Sequence, residues 1–132
     1  MTSGVDNSLS GVGLDRADFL GGQPSLDPGR PHGQLIASYF NTALFGRNAV
    51  GTFGNEGKGI LRGPGLFDTD LGLLKNTKIT ERLNTQFRAE FFNAFNNVNF
   101  SGPSSSLSSS SFGRITSAGD PRILQLALKL IF

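Results

Sequence analysis

Arg82-Leu83-Asn84-Thr85-Gln86-Phe87-Arg88-Ala89-Glu90-Phe91 divides into two faces. Leu83, Thr85, Phe87, Ala89 and Phe91 fall on one side, and Arg82, Asn84, Gln86, Arg88 and Glu90 on the other. A repeat of two residues is the period of a β-strand, so this stretch predicts a strand with one apolar and one wet face. The end of the chain does the same. Leu124, Leu126, Leu128, Leu130 and Phe132 share one face, opposite Gln125, Ala127 and Lys129. A third stretch, Leu66 to Asn76, places Phe67, Thr69, Leu71 and Leu73 against Asp68, Asp70 and Gly72.

The rest of the chain supplies no comparable strands. Residues 1–30 are rich in Gly, Asp, Asn and Ser, with Pro24 and Pro28, and predict loop, or one weak strand and loop. Leu35, Ile36, Tyr39, Phe40, Ala43 and Leu44 follow helical spacing, which predicts one short helix over 35–45, ended by Gly46. Residues 76–81 suit a tight turn between antiparallel strands. Residues 97–121 form a long loop, and their serine run, Ser104 to Ser111, predicts a flexible solvated segment. The expected organisation is therefore a loop-rich part, 1–65, and a strand part, 66–132, with strands near 66–76, 82–95 and 122–132.

Composition narrows the function classes. The 132 residues are 37% hydrophobic and 17% charged, with 18 Gly and no Cys. Disulfides, thiolate metal sites and Cys nucleophiles are excluded. A net charge of +2 without a basic stripe gives no nucleic-acid footprint. The stretch Gly51 to Gly59 misses the phosphate-loop spacing and has Gly59 where a Ser or Thr is required. Asp68-Thr69-Asp70-Leu71-Gly72 starts like a calcium loop but lacks the later ligands. His32 sits in a Pro/Gly loop without a Ser or a carboxylate to orient it. Asn99-Phe100-Ser101 matches a glycosylation acceptor at the level expected by chance. No catalytic, cofactor or metal residue is expected, and the chain is not expected to be an enzyme.

Amphipathic strands without a second sheet to cover them point to lipid. A spanning strand needs only ~9–11 residues, every second one apolar. The fold class expected is all-β: an antiparallel meander forming the last strands of a transmembrane β-barrel. Its lumen face would carry Asp68, Asp70, Asn84, Gln86, Arg88, Glu90, Gln125 and Lys129. Its lipid face would carry Leu71, Leu73, Leu83, Phe87, Phe91, Leu124, Leu126, Leu128 and Leu130. Three strands leave open edges in lipid, so a larger barrel is expected around them. The alternative is a soluble β-rich binding or adhesion module, since alternation also fits a half-buried antiparallel sheet.

Several segments resemble a known family. They are Gly63-Pro64-Gly65, Asp68-Thr69-Asp70-Leu71, Lys75-Asn76, Ile79-Thr80-Glu81-Arg82, Phe87 to Asn96, and Phe100. Phe112 to Thr116, Asp120-Pro121-Arg122 and Gln125 to Lys129 continue the match. Asp6 to Leu9, Gly11-Val12-Gly13, Asp15-Arg16 and Tyr39 to Thr42 extend it upstream. Together they resemble the C-terminal end of TonB-dependent outer-membrane receptors of the Oar-like group. The resemblance implies the cell outer membrane and a transport barrel with an N-terminal plug. A TonB partner pulls on that plug at the expense of the proton-motive force. Residues 1–132 contain no plug, TonB-contacting segment or signal peptide. The expectation is a C-terminal fragment, not transport-competent alone, with export information upstream of Met1. Phe132 resembles the terminal aromatic recognised by the barrel-assembly machinery. The C-terminus would then be periplasmic and the serine loop external.

Overall fold

A computed structural model describes residues 1–132. The chain divides into two compact units. One comprises 1–64 and 100–117, the other 65–99 and 118–132. Residues 100–117, expected with the strand part, group with 1–64.

The first unit holds little regular structure. Strand β1 (Asp18–Phe19) pairs antiparallel with β2 (Phe45–Gly46). Helix α1 (His32–Ala37) and a 3₁₀ turn (Thr42–Leu44) lie between them. A small aromatic core forms from Phe40, Phe45 and Phe112, and Ala17 and Ile115 are buried in the same unit. Phe40 meets Phe45 and Phe112 edge-on at 5.5 and 5.3 Å, the arrangement that sets a positive ring edge against a negative face.

That core explains why the expected helix over 35–45 breaks early. Continuing α1 would carry Tyr39 and Phe40 around a helical turn. Instead Ser38 is extended, and the Tyr39 amide donates to the Gly113 carbonyl at 2.7 Å. Phe40 bridges Ser25, and the Asn41 amide donates to the Pro24 carbonyl. Sequestering Phe40 almost completely is worth ~1.5–3 kcal/mol, more than a turn of marginal helix contributes. Gly46 accordingly ends no helix and lies in β2.

The serine run is also ordered by backbone bonds. The amides of Ser109, Phe112 and Arg114 donate to the carbonyls of Ser106, Ser109 and Ser111, so the run coils into successive tight turns. Thr2 clasps it on one side, donating to Ser105 and accepting from Leu107. Short hydroxyl side chains suit such turns, because they hydrogen-bond locally without bulk, as Ser109 and Ser111 do at 2.9 Å.

The second unit is a three-stranded antiparallel meander of β3 (Leu71–Lys78), β4 (Asn84–Phe92) and β5 (Ile123–Ile131). All three expected strands exist, and their ends shift for identifiable reasons. β3 starts at Leu71 rather than 66, because residues 66–70 bond to the loop beyond β4. The Phe67 amide donates to Asn99 Oδ1, and the Thr69 carbonyl accepts from Ala94. β4 starts at Asn84 rather than 82. The Leu83 carbonyl closes the turn by accepting from Ile79 and Thr80. β4 stops at Phe92 rather than 95, since Asn93 has a φ of +48°, which no strand tolerates. No helix of the chain is long and apolar enough to cross a membrane.

Candidate functional site

Directly opposite residues of an antiparallel pair share a face, so the register assigns the faces of the sheet. Leu71↔Phe91, Leu73↔Ala89, Lys75↔Phe87 and Thr77↔Thr85 lie on one face of the β3–β4 pair. Phe91↔Leu124, Ala89↔Leu126, Phe87↔Leu128 and Thr85↔Leu130 continue it into β5. The opposite face carries Leu74↔Arg88, Asn76↔Gln86 and Lys78↔Asn84, then Glu90↔Gln125 and Gln86↔Lys129.

The apolar face is uncovered. Leu73, Leu126 and Leu128 are 61%, 62% and 65% exposed. Only Ala89, at the centre, is buried, because the larger side chains of Leu73 and Leu126 flank it in register. Leaving so many Leu and Phe side chains half in water forgoes on the order of 10 kcal/mol of burial, and so large a patch marks a surface made to be covered. Both outer edges of the sheet, on β3 and β5, lack a strand partner.

The wet face is knitted laterally. Gln86 Nε2 donates to Asn76 Oδ1 at 2.9 Å, and Arg88 lies 3.7 Å from Glu90. The ion pair is largely exposed, so it contributes about 0–1 kcal/mol. Its value is to keep charge on this face.

Most of the residues expected on the two faces lie together as expected, but three do not. Leu83 belongs to the turn before β4 and is not a sheet position. Asp68 and Asp70 precede β3 and face no partner in the ladder. Asp70 Oδ1 instead accepts from the Asn93 amide at 3.0 Å. Alternation missed Leu74, Phe92, Ile123 and Ile131, which sit on the wet face, and Lys75, which sits on the apolar one. Phe132 lies just beyond β5 and is fully exposed.

A network of asparagines at the loop end of the sheet escaped the sequence reading. Asn93 is buried, and its Nδ2 donates to the carbonyls of Asn97 and Asp120, while its Oδ1 accepts from the Asn97 amide. Asn96 Oδ1 accepts from the Arg122 amide at the start of β5. The Asn93 side chain thus ties the end of β4 to the approach of β5, and its backbone amide, donating to Asp70, ties it to the approach of β3. The available signal was the run Asn93, Asn96, Asn97, Asn99 following an apolar strand, since Asn both tolerates a positive φ and bonds locally. A recess of about 300 Å³ opens beside it, between Asp68, Asp70, Asn93, Asn99 and Asp120. No three carboxylate or imidazole groups converge there or elsewhere at metal-binding range.

The loop unit carries a second buried polar cluster. Asp15 accepts from the Ser8 amide and hydroxyl, both at 2.7 Å, and from Asn48 Nδ2 at 2.9 Å. Burial works to raise the Asp15 pKa. The hydrogen bonds from Ser8, Asn48 and Asn7 outweigh it and hold the carboxyl below its usual range. Asn48 also donates to the Thr52 carbonyl, so the cluster ties three loop segments together. His32 packs edge-on against Phe100 at 5.3 Å and meets no acid or nucleophile.

Comparison with known proteins agrees with the exposed, one-sided sheet. A family described as an outer membrane beta barrel domain matches residues 1–125, which takes in the loop unit and the meander as far as β5. Neither the curated proteins nor the solved structures contain a significant match. A match over nearly the whole length, on a chain whose best strands expose an apolar face, places this chain in the outer membrane β-barrel domain family.

Proposed function

We propose that this chain supplies closing strands of a TonB-dependent outer-membrane transporter barrel of the Oar-like type. The observation that carries the reading is the meander itself, with one face almost wholly apolar and exposed, the other carrying nearly all the polar side chains, and both edges free to pair. In such a barrel the apolar face meets lipid and the polar face lines the interior. The open N–H and C=O groups along β3 and β5 must be paired within the bilayer. These strands therefore act as part of a larger cylinder, and its wall would include Asn84, Gln86, Arg88, Glu90, Gln125 and Lys129.

The TonB-dependent assignment rests on the segments from Gly63 to Asn96 and from Phe112 to Lys129 that resemble that receptor group. The short β3–β4 turn and the long β4–β5 connection also match periplasmic turns and external loops. The deciding experiment is to read the gene around this coding region and express the whole open reading frame. A frame containing a plug and further alternating strands, whose product shows TonB-dependent uptake, supports the proposal. A well-folded monomer of this chain, stable without detergent, would favour a soluble β-rich binding module instead.

A further inference from the structure

The apolar face has one polar corner, and it is charged. Lys75 lies on that face opposite Phe87, in line with Leu128, and two residues further Thr77 lies opposite Thr85. Lys75 makes no ion pair, since the only pair between side chains of the chain is Arg88–Glu90, on the other face. Thr77 is exposed, and the shielded Thr85 hydroxyl beside it has no hydrogen-bond partner. The corner sits at the short-turn end of the sheet. Charge along the unit is sorted the same way. Lys75, Lys78, Arg82 and Lys129 gather toward the turn, against Glu81, whereas Asp68, Asp70, Glu90 and Asp120 gather toward the loops, with Arg122, and Arg88 lies between.

We infer that Lys75 and Thr77 form a binding corner for the phosphate of an anionic phospholipid headgroup, in the leaflet nearest the β3–β4 turn. This rests on the reading that the apolar face meets lipid. A lysine among leucines is unfavourable in hydrocarbon, but its four-carbon stem can lie against the neighbouring Phe87 while the ammonium reaches toward the headgroup level. There it needs an anion, and the chain offers none on that face. A headgroup phosphate supplies the charge, and its oxygens also accept from the Thr77 hydroxyl. The surrounding positive charge at this end favours an anionic lipid over a neutral one.

The test is partition of the full chain into phosphatidylcholine vesicles, with and without phosphatidylglycerol. Phosphatidylglycerol should strengthen partition of the unaltered chain. Lys75→Gln should remove about 5-fold of that gain, the worth of one basic side chain at an anionic surface. Thr77→Val should remove less, and Lys129→Gln, on the opposite face, almost none. Inorganic phosphate in solution should not compete. Equal losses for Lys75→Gln and Lys129→Gln would mean diffuse charge attraction and overturn the inference, as would the absence of any phosphatidylglycerol gain. Competition by inorganic phosphate would overturn the lipid assignment. If the chain enters phosphatidylcholine vesicles but shows no Lys75-specific effect, only this inference fails. If it binds vesicles of neither composition, this inference fails, and the barrel reading is decided by the whole open reading frame, since three strands with open edges are not expected to insert alone.

Discussion

At the scale of single residues, the sheet separates positions by face rather than by type. Leu126 is central on the apolar face beside Ala89, and Lys129 is on the wet face beside Gln86. Leu126→Arg should block assembly of a barrel carrying it, because a charge facing lipid near mid-bilayer costs ~2–4 kcal/mol. Lys129→Gln should be tolerated. Heat-modifiable gel mobility of a barrel containing these strands reports both, and equal assembly of the two variants would contradict the face assignment. Asp15 makes a different prediction. Its pKa is lowered in the fold, so its contribution to stability is present above the usual carboxylate value and is lost as pH falls below it, under about pH 4. Hydrogen exchange at Ser8 and its neighbours should therefore accelerate between pH 6 and pH 3, after correction for intrinsic rates. Asp15→Asn should start faster and show little further change.

At the scale of elements, strand existence was legible and strand ends were not. Alternation over 82–91 and 124–132 is a local property, and it predicted β4 and β5 with the alternating side chains that the register groups together. The ends depend on what the next residues bond to. β4 stops where Asn93 turns left-handed, and its side chain there satisfies the Asn97 carbonyl in the same turn and the distant Asp120 carbonyl. Asn93→Ala should cost about 1–3 kcal/mol, through a positive φ on a residue with no compensating bonds and through unpaired carbonyls. Asn93→Gly should recover only the backbone part. Urea unfolding of a barrel containing these strands, followed by gel mobility, measures the difference. Failure of the short helix over 38–45 has the same origin. Helical spacing was present, but Phe40 was required in a core with Phe45 and Phe112, which local periodicity cannot see.

At the scale of the whole chain, each unit has its own logic. The loop unit is held by aromatic packing, a serine-turn clasp and the Asp15–Asn48 network rather than by sheet. The meander is held by ladder bonds, and it keeps its apolar face and two edges open. The full chain should thus remain dispersed only with detergent or lipid, and light scattering should rise sharply on detergent removal. Hydrogen exchange in micelles should protect the amides of β4, paired on both sides, well beyond the outward amides of β3 and β5. Uniform protection across the three strands would show that the edges are paired in the micelle.

The amino-acid sequence by itself determined the β class, three strands and most of the two faces, because side-chain alternation is set by covalent geometry alone. It also determined that the apolar face lacks an internal cover, since no other stretch alternates. Only the tertiary structure decided that 100–117 belongs with the loop unit, that Asp68, Asp70 and Leu83 lie outside the ladder, and that Lys75 stands on the apolar side. Each of those depends on a partner distant in the chain, and register and hydrogen-bond closure are fixed by such partners, not by neighbours in sequence.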